Sequence, residues 1–120
     1  MMAKLRILVV DDDRNMTTTL LKILRLKGYR ATVAHGGKEA LDLAKKDHFD
    51  CVLSDIKMPG MSGVELFHAL QEYHQDIPII LMTAYAPSDL LNASVAEGAV
   101  AVLNKPLDFD LLFLYLAAVK

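Results

Sequence analysis

The chain has 120 residues, 53% of them hydrophobic, and a formal net charge of −2. This length and composition suit one compact domain with a buried core, so we expect a single domain over residues 1–120. The sequence shows no basic run, no signal-peptide pattern and no apolar stretch of membrane-spanning length. It therefore predicts a cytoplasmic protein without direct nucleic-acid or membrane partners.

Short apolar runs and helical repeats alternate along the chain. The runs are rich in Val, Ile and Leu, as is typical of strands buried on both faces of a parallel sheet. The predicted strands are residues 5–10, 31–34, 49–54, 77–82 and 99–103.

Five predicted helices follow the strands, and most have a recognisable start or end. Ser62 and Glu65 match a capping box, and Gly28 is positioned to end the first helix. The helices are 14–27 after Asp13, 38–46, one after Ser62, one opening near Ser88 and Asp89, and one capped by Asp108.

Five βα units predict an α/β fold, a three-layer doubly wound sheet of five parallel strands. Because β-helix-β crossovers are right-handed, we expect the flavodoxin-like strand order 2-1-3-4-5. The carboxyl ends of such strands meet at one edge of the sheet, so functional residues are expected there.

Acidic residues follow two of the predicted strands at this edge. Asp11 and Asp12 follow strand 1, Asp55 follows strand 3, and the expected order makes those strands neighbours. Carboxylates so close repel one another, and a hard cation such as Mg²⁺ relieves the repulsion. The pattern predicts a Mg²⁺ site; helix or turn capping is the alternative, and it fits Asp13 well.

A carboxylate can also attack phosphorus and form an aspartyl phosphate. That reaction needs a metal to neutralise phosphoryl oxygens and a further cation to bind another oxygen. Thr83 at the end of strand 4 and Lys105 at the end of strand 5 could supply a hydroxyl and an ammonium at the same edge.

Four motifs stand in order along the chain: Ile7-Leu8-Val9-Val10-Asp11-Asp12, Ser54-Asp55-Ile56-Lys57-Met58-Pro59-Gly60-Met61-Ser62-Gly63, Met82-Thr83-Ala84 and Lys105-Pro106. With these motifs the sequence resembles, over essentially its whole length, the receiver domain of bacterial two-component response regulators. The resemblance implies that Asp55 accepts a phosphoryl group from a sensor histidine kinase or phosphotransfer protein. It also implies that the domain assists its own phosphorylation and dephosphorylation rather than acting as an enzyme.

The same resemblance assigns roles around Asp55. It implies that Asp12, assisted by Asp11 through water, holds Mg²⁺ together with Asp55 and the backbone carbonyl of Lys57. The side chain of Lys57 is expected to tune the reaction rate.

Beyond the metal, the resemblance implies that Thr83 bonds one phosphoryl oxygen and that Lys105 pairs with another. It also suggests a cis Lys105-Pro106 peptide. Many receivers carry an aromatic switch residue in strand 5, where this chain has Val102, so Tyr85 is considered as a partial replacement.

Glycines and the last predicted helix add two expectations. Gly60 and Gly63 are expected to tolerate unusual backbone angles near the site. The last helix can face the sheet with one side and leave the other unusually apolar, which suggests a homodimer or output-domain contact through helix 5 and the strand 4–5 face. The sheet-facing residues would be Phe109, Leu112, Leu116 and Val119, and the opposite ones Leu111, Leu114 and Ala118.

Two other functions are weighed against the receiver. A haloacid-dehalogenase-like phosphohydrolase would use Asp11 as nucleophile and Asp13 as acid/base, with Thr83 and Lys105 as phosphate ligands. The chain has neither its later acidic metal motif nor a cap insertion. A flavodoxin-like cofactor binder would need a glycine-rich phosphate loop after strand 1, where three acids stand instead.

Overall fold

Five parallel strands form one sheet in the order β2-β1-β3-β4-β5, which confirms the predicted topology. The computed structural model describes residues 5–73, 77–84 and 98–119. The strands are β1 (Arg6–Val10), β2 (Arg30–Ala34), β3 (Cys51–Asp55), β4 (Ile79–Thr83) and β5 (Ala101–Asn104).

The strand ends differ slightly from the prediction. The last three strands begin at residues 51, 79 and 101 rather than 49, 77 and 99, because the apolar runs extend beyond the hydrogen-bonded ladder. Phe49 and Ala99, for example, are buried without belonging to a strand. Asp55 and Thr83 were expected just after their strands and are instead the last residues of β3 and β4, where they pair with Met82 and Asn104.

Burial separates the inner strands from the edge strands. All residues of β3 and β4 are buried, and so are those of β1 from Ile7 onward. The edge strands β2 and β5 each contain exposed and half-buried positions, so the expectation of burial on both faces is wrong for them. An edge strand has a neighbour on one side only, and part of its surface therefore remains in contact with water.

Three helices begin at the predicted caps, whereas α2, for which no cap was predicted, follows Gly36 without a side-chain cap. Asp13 accepts hydrogen bonds from the backbone N–H groups of Asn15 and Met16, and Asp108 accepts one from Leu111. Ser62 and Glu65 form the reciprocal capping box, at 2.9 and 3.1 Å. The helices within the described residues are α1 (Arg14–Leu26), α2 (Gly37–Lys46), α3 (Gly63–Tyr73) and α4 (Phe109–Ala118).

The helix predicted near Ser88 and Asp89 lies outside the described residues, as does Tyr85. The fifth predicted helix is α4.

Gly28 follows α1 with a φ of 94°, the left-handed conformation that glycine adopts readily at helix ends. Among the residues that the structure describes, no helix has the length and apolar character needed to cross a membrane.

Helices cover both faces of the sheet, which gives the expected three layers. One core lies between the sheet and the pair α1 and α4, and the other between the sheet and the pair α2 and α3. The helices contribute Leu20, Leu24, Leu112 and Leu116 to the first core, and Ala40, Ala44, Leu66, Phe67 and Leu70 to the second.

Cys51 belongs to the first core, at the start of the central strand β3. Burial, with a smaller contribution from the charge of Asp50, raises the pKa of its thiol to about 12. The side chain is thus a neutral packing group, as the sequence predicts.

The two sides of α4 differ as predicted. Leu112 and Leu116 are fully buried, and Phe109 and Val119 pack against the same core. On the opposite side Leu114 remains 69% exposed.

This difference predicts unequal costs for two identical substitutions. Leu112→Ala should lower the free energy of unfolding by about 2–5 kcal/mol, because it removes buried methyl groups and leaves a cavity. Leu114→Ala should change it by less than about 0.5 kcal/mol, as is usual at the surface. Urea unfolding followed by circular dichroism measures both, and similar losses in the two variants would contradict the assignment of the faces.

Candidate functional site

Three carboxylates meet at the carboxyl edge of the sheet. Asp11, Asp12 and Asp55 each offer one oxygen, and these oxygens lie within 4.8 Å of one another. The grouping follows from the strand order, because Asp11 directly follows β1, Asp55 ends β3, and the two strands pair side by side. The predicted acidic cluster is therefore formed.

Asp11 is the most enclosed member of this cluster, with no exposed surface. One carboxylate oxygen accepts a 3.0 Å hydrogen bond from the backbone N–H of Asp13. The other accepts a 2.8 Å hydrogen bond from the ammonium of Lys105. These two donors offset much of the cost of burying a negative charge.

Lys105 lies between two acids. Its Nζ is 2.8 Å from Asp11 Oδ2 and 3.5 Å from Asp55 Oδ2. Burial alone would lower the pKa of this ammonium, but the hydrogen bond and charge of Asp11 together with the charge of Asp55 outweigh it and raise the pKa. Lys105 is consequently a fixed positive charge at the site.

Asp55 experiences opposing influences. Burial, followed by the nearby charge of Asp11, raises the pKa of its carboxyl above the ordinary value. The Lys105 ammonium and the backbone N–H of Lys57 act in the other direction without cancelling the rise. One ammonium therefore balances the buried acids only in part, and an additional cation would stabilise the ionised cluster.

Thr83 and Lys57 lie at the same edge of the sheet, Thr83 as the last residue of β4 and Lys57 two residues after the end of β3. Thr83 is buried at the end of β4, and its backbone carbonyl accepts a 2.7 Å hydrogen bond from the Lys105 N–H. The side chain of Lys57 is exposed just beyond Asp55. The Lys105-Pro106 peptide is cis, as the sequence resemblance suggests.

The contacts of Asp11 and Asp13 argue against the phosphohydrolase alternative. A nucleophile must approach a substrate, yet Asp11 is enclosed and both of its oxygens accept hydrogen bonds. Asp13 uses one carboxylate oxygen to cap α1 and so fills the role that the capping alternative gave it. Asp55 is the better placed carboxylate for a reaction.

Gly63 does not have the unusual backbone angle that the sequence predicts for it. Among the described residues, Gly60 has a left-handed φ of 77°, whereas Gly63 does not have a positive φ. A Cβ at Gly63 would overlap the carbonyl oxygen of Asp55 and lie 2.9 Å from the Cα of Ile56. Gly63 is needed for space, because the start of α3 passes directly over the backbone of Asp55.

Val102 occupies the middle of β5 and is partly buried against the core beneath α2 and α3. The chain therefore has a small aliphatic side chain at the position for which the family resemblance suggests an aromatic switch residue.

Comparisons with known proteins agree with this geometry. A sequence model described as the response regulator receiver domain matches residues 7–117. The transcriptional regulatory protein ZraR of Klebsiella oxytoca is 42% identical over 111 residues, which is 92% of this chain and 25% of that protein. This chain thus spans about a quarter of that relative's length.

Shorter proteins match over nearly their whole length. Sporulation initiation phosphotransferase F of Bacillus subtilis is 36% identical over 88% of this chain and 85% of its own. The solved structure of the Vibrio cholerae chemotaxis protein CheY4 superposes with a TM-score of 0.90 at 31% identity, covering 98% of this chain and 100% of that one. With a family match over residues 7–117 and the same fold in solved relatives, the chain belongs to the response regulator receiver domain family.

Proposed function

We propose that Asp55 accepts a phosphoryl group from the phosphohistidine of a sensor kinase or phosphotransfer protein, and that the resulting change at the edge formed by Thr83 and Lys105 controls a partner. The observation that carries this proposal is the position of the Lys105 ammonium between Asp11 and Asp55. Of the two buried carboxylates, Asp55 is the one whose pKa is raised, first by burial and then by the charge of Asp11.

In the proposed reaction a carboxylate oxygen of Asp55 forms a bond to phosphorus as the phosphorus–nitrogen bond breaks. The electron pair of that bond leaves with the imidazole of the donor. Lys105 supplies positive charge to the phosphoryl oxygens, and Asp11 holds Lys105 in place from the buried side. In this sense the domain assists its own phosphorylation.

The acidic cluster fits a divalent cation. Asp11, Asp12 and Asp55 provide hard oxygen ligands within a small volume, and we add the backbone carbonyl of Lys57 to the proposed ligands. A bound Mg²⁺ would neutralise phosphoryl oxygens during transfer. Asp12 is the exposed member and is accessible to a cation arriving from water.

The phosphorylated state would differ from the unmodified one by the negative charge added at Asp55. A phosphoryl group on Asp55 adds negative charge close to Lys105 and offers acceptors to the hydroxyl of Thr83. Because the Lys105 N–H is bonded to the Thr83 carbonyl, β4 and β5 would respond together. The phosphate then shifts the population of two arrangements.

For the output, the exposed side of α4 remains the candidate contact surface. Leu111 is 40% and Leu114 69% exposed, although nearby Leu112 and Leu116 are buried. A second receiver or an output domain could cover these leucines.

Labelling tests the acceptor directly. Incubation with Mg²⁺ and a small acyl phosphate should give an acid-labile phosphate adduct at Asp55, and Asp55→Asn should abolish it because an amide is not a nucleophile of this kind. Asp42→Asn, on the exposed surface of α2, serves as the matched control and should label normally. Label at Asp11, or steady hydrolysis of unrelated phosphate esters, would favour the phosphohydrolase instead.

Removal of two charged side chains should separate metal binding from the response. Asp12→Ala should weaken Mg²⁺ binding by about tenfold or more, since even the outer partners of metal ligands contribute that much. Lys105→Ala should leave Mg²⁺ affinity at least as high, because it removes a competing cation, but should impair the response to phosphorylation. Titration calorimetry measures the affinities, and equal losses in both variants would contradict this division of roles.

The raised pKa of Asp55 predicts a stability cost. The carboxyl binds its proton more tightly in the folded chain than in the unfolded one, so folding becomes less favourable as pH rises from the ordinary carboxyl range through the folded pKa. Above the folded pKa the full stability cost is present and no longer changes with pH. In metal-free buffer near neutral pH, Asp55→Asn should therefore raise the free energy of unfolding by about 1 kcal/mol, a size common among stabilising substitutions.

Urea unfolding in EDTA and in excess Mg²⁺ measures this effect. Mg²⁺ should stabilise the wild-type chain more than Asp55→Asn, because a ligand that binds only the folded state stabilises it by mass action. Asp42→Asn is again the control. A destabilised Asp55→Asn protein in EDTA would show that the ionised carboxylate does not lower the stability of the folded chain.

A further inference from the structure

The loop between β3 and α3 makes a close contact with the start of α2. Met61, near the end of this loop, lies against Gly37, the first residue of α2. A Cβ built on Gly37 would be 2.8 Å from the Cβ and Cγ of Met61 and 2.9 Å from its Sδ. Real Cβ atoms do not tolerate such distances, so Met61 occupies the space that any other residue at position 37 would fill.

This loop carries part of the proposed site. It begins after Asp55 and contains Lys57. The backbone N–H of Lys57 donates a hydrogen bond to the Asp55 carboxylate, and its carbonyl is a proposed metal ligand. Its two ends are fixed by backbone hydrogen bonds, from Ile56 N–H to the Met82 carbonyl and from Gly63 N–H to the Ile56 carbonyl, both 2.8 Å.

The outer part of the loop has fewer attachments. Lys57, Pro59 and Gly60 are exposed, whereas Met58 is buried and Met61 is partly buried in the core beneath α2 and α3. These two methionines therefore return the loop to the body of the domain. Of the two, Met61 has a glycine of α2 as its close neighbour.

The start of α2 is itself tied to the acidic edge. The side chain of Glu39 accepts a 2.9 Å hydrogen bond from the backbone N–H of His35, and the Ala34 carbonyl accepts one of 3.2 Å from the N–H of Asp11. A displacement of Gly37 would thus be transmitted on one side to the strand end beside Asp11. On the other side it would move Met61 and its loop.

We infer that Gly37 and Met61 are positioning residues for phosphoryl transfer: their contact holds the β3–α3 loop at the distance from Asp55 that the reaction requires. This inference rests on the proposed function for the identity of the reaction. Neither side chain touches the reacting atoms; they act through the backbone of the loop.

Gly36 and Gly37 are adjacent, but only Gly37 is in close contact with Met61, so the same substitution at the two positions tests the contact. An added Cβ at Gly36 meets nothing within 4 Å, and the φ of −168° there suits any residue, so Gly36→Ala is a matched control for Gly37→Ala. Gly37→Ala should slow labelling of Asp55 by acyl phosphate about tenfold or more, since a misplacement of 1 Å near reacting atoms can cost about a hundredfold. Gly36→Ala should label at the wild-type rate.

A second variant tests whether the contact itself is responsible. Met61→Gly removes the side chain that the new Cβ would strike and should also slow labelling, because the loop loses an attachment. In the double variant the alanine Cβ takes up vacated space, so the combined loss should be smaller than the product of the two single losses. Rates are compared among folded proteins, with unfolding free energies measured in parallel.

Mg²⁺ affinity provides a readout that does not depend on transfer. Gly37→Ala should weaken Mg²⁺ binding relative to Gly36→Ala, as expected if the loop carbonyl is displaced. Equal rates and equal affinities in these two variants, or losses that multiply in the double variant, would overturn the positioning role. Absence of label on the wild-type chain would refute the proposed function instead, while a Mg²⁺ difference between the alanine variants would still support the contact.

Discussion

The carboxylates of Asp11 and Asp55 lie together at one edge of the sheet with almost no contact with water. Two like charges in this environment repel strongly, and the Lys105 ammonium at 2.8 and 3.5 Å reduces that repulsion without removing it. Burial, and after it the charge of Asp11, raises the pKa of Asp55 even with Lys105 beside it. A fold that tolerates such a cluster keeps a carboxylate in a state that favours a cation or an electrophile.

The arrangement depends on the parallel sheet more than on any single contact. The strands β1, β3, β4 and β5 are neighbours in that order, and all of them end at the same edge of the sheet. Lys105 directly follows β5, and its ammonium contacts Asp11 at the end of β1. Close packing above the edge then limits movement, because α3 begins with a glycine directly over the backbone of Asp55. Asp55, the proposed acceptor, is consequently held by its own strand and by the helix that follows it.

Much of this structure could be predicted from sequence because the relevant signals are local. Apolar runs, capping residues and the right-handed crossover rule lead to a doubly wound parallel sheet. Periodicity does not specify the order of the strands, and it was the flavodoxin-like order expected for such a sheet that placed Asp11 and Asp55 together. The starts of the later strands were missed, since an apolar residue such as Phe49 reports burial and not membership of the ladder. The function of Gly63 was missed for a related reason. Whether a glycine supplies a left-handed angle or empty space depends on what packs against it, and the chain's local pattern does not encode that neighbour.

The ion pair of Asp11 and Lys105 joins residues 94 positions apart, almost the full span of the domain. A growing polypeptide that has completed β1 and β3 already holds both acids, but it lacks their counter-charge until β5 has been made and has added to the sheet beside β4. Bringing together residues so far apart costs conformational entropy, and this cost grows with the length of the intervening chain. The ammonium therefore joins the two acids only when β5 pairs with β4, and a chain without that pairing would have the proposed acceptor carboxylate without its counter-charge.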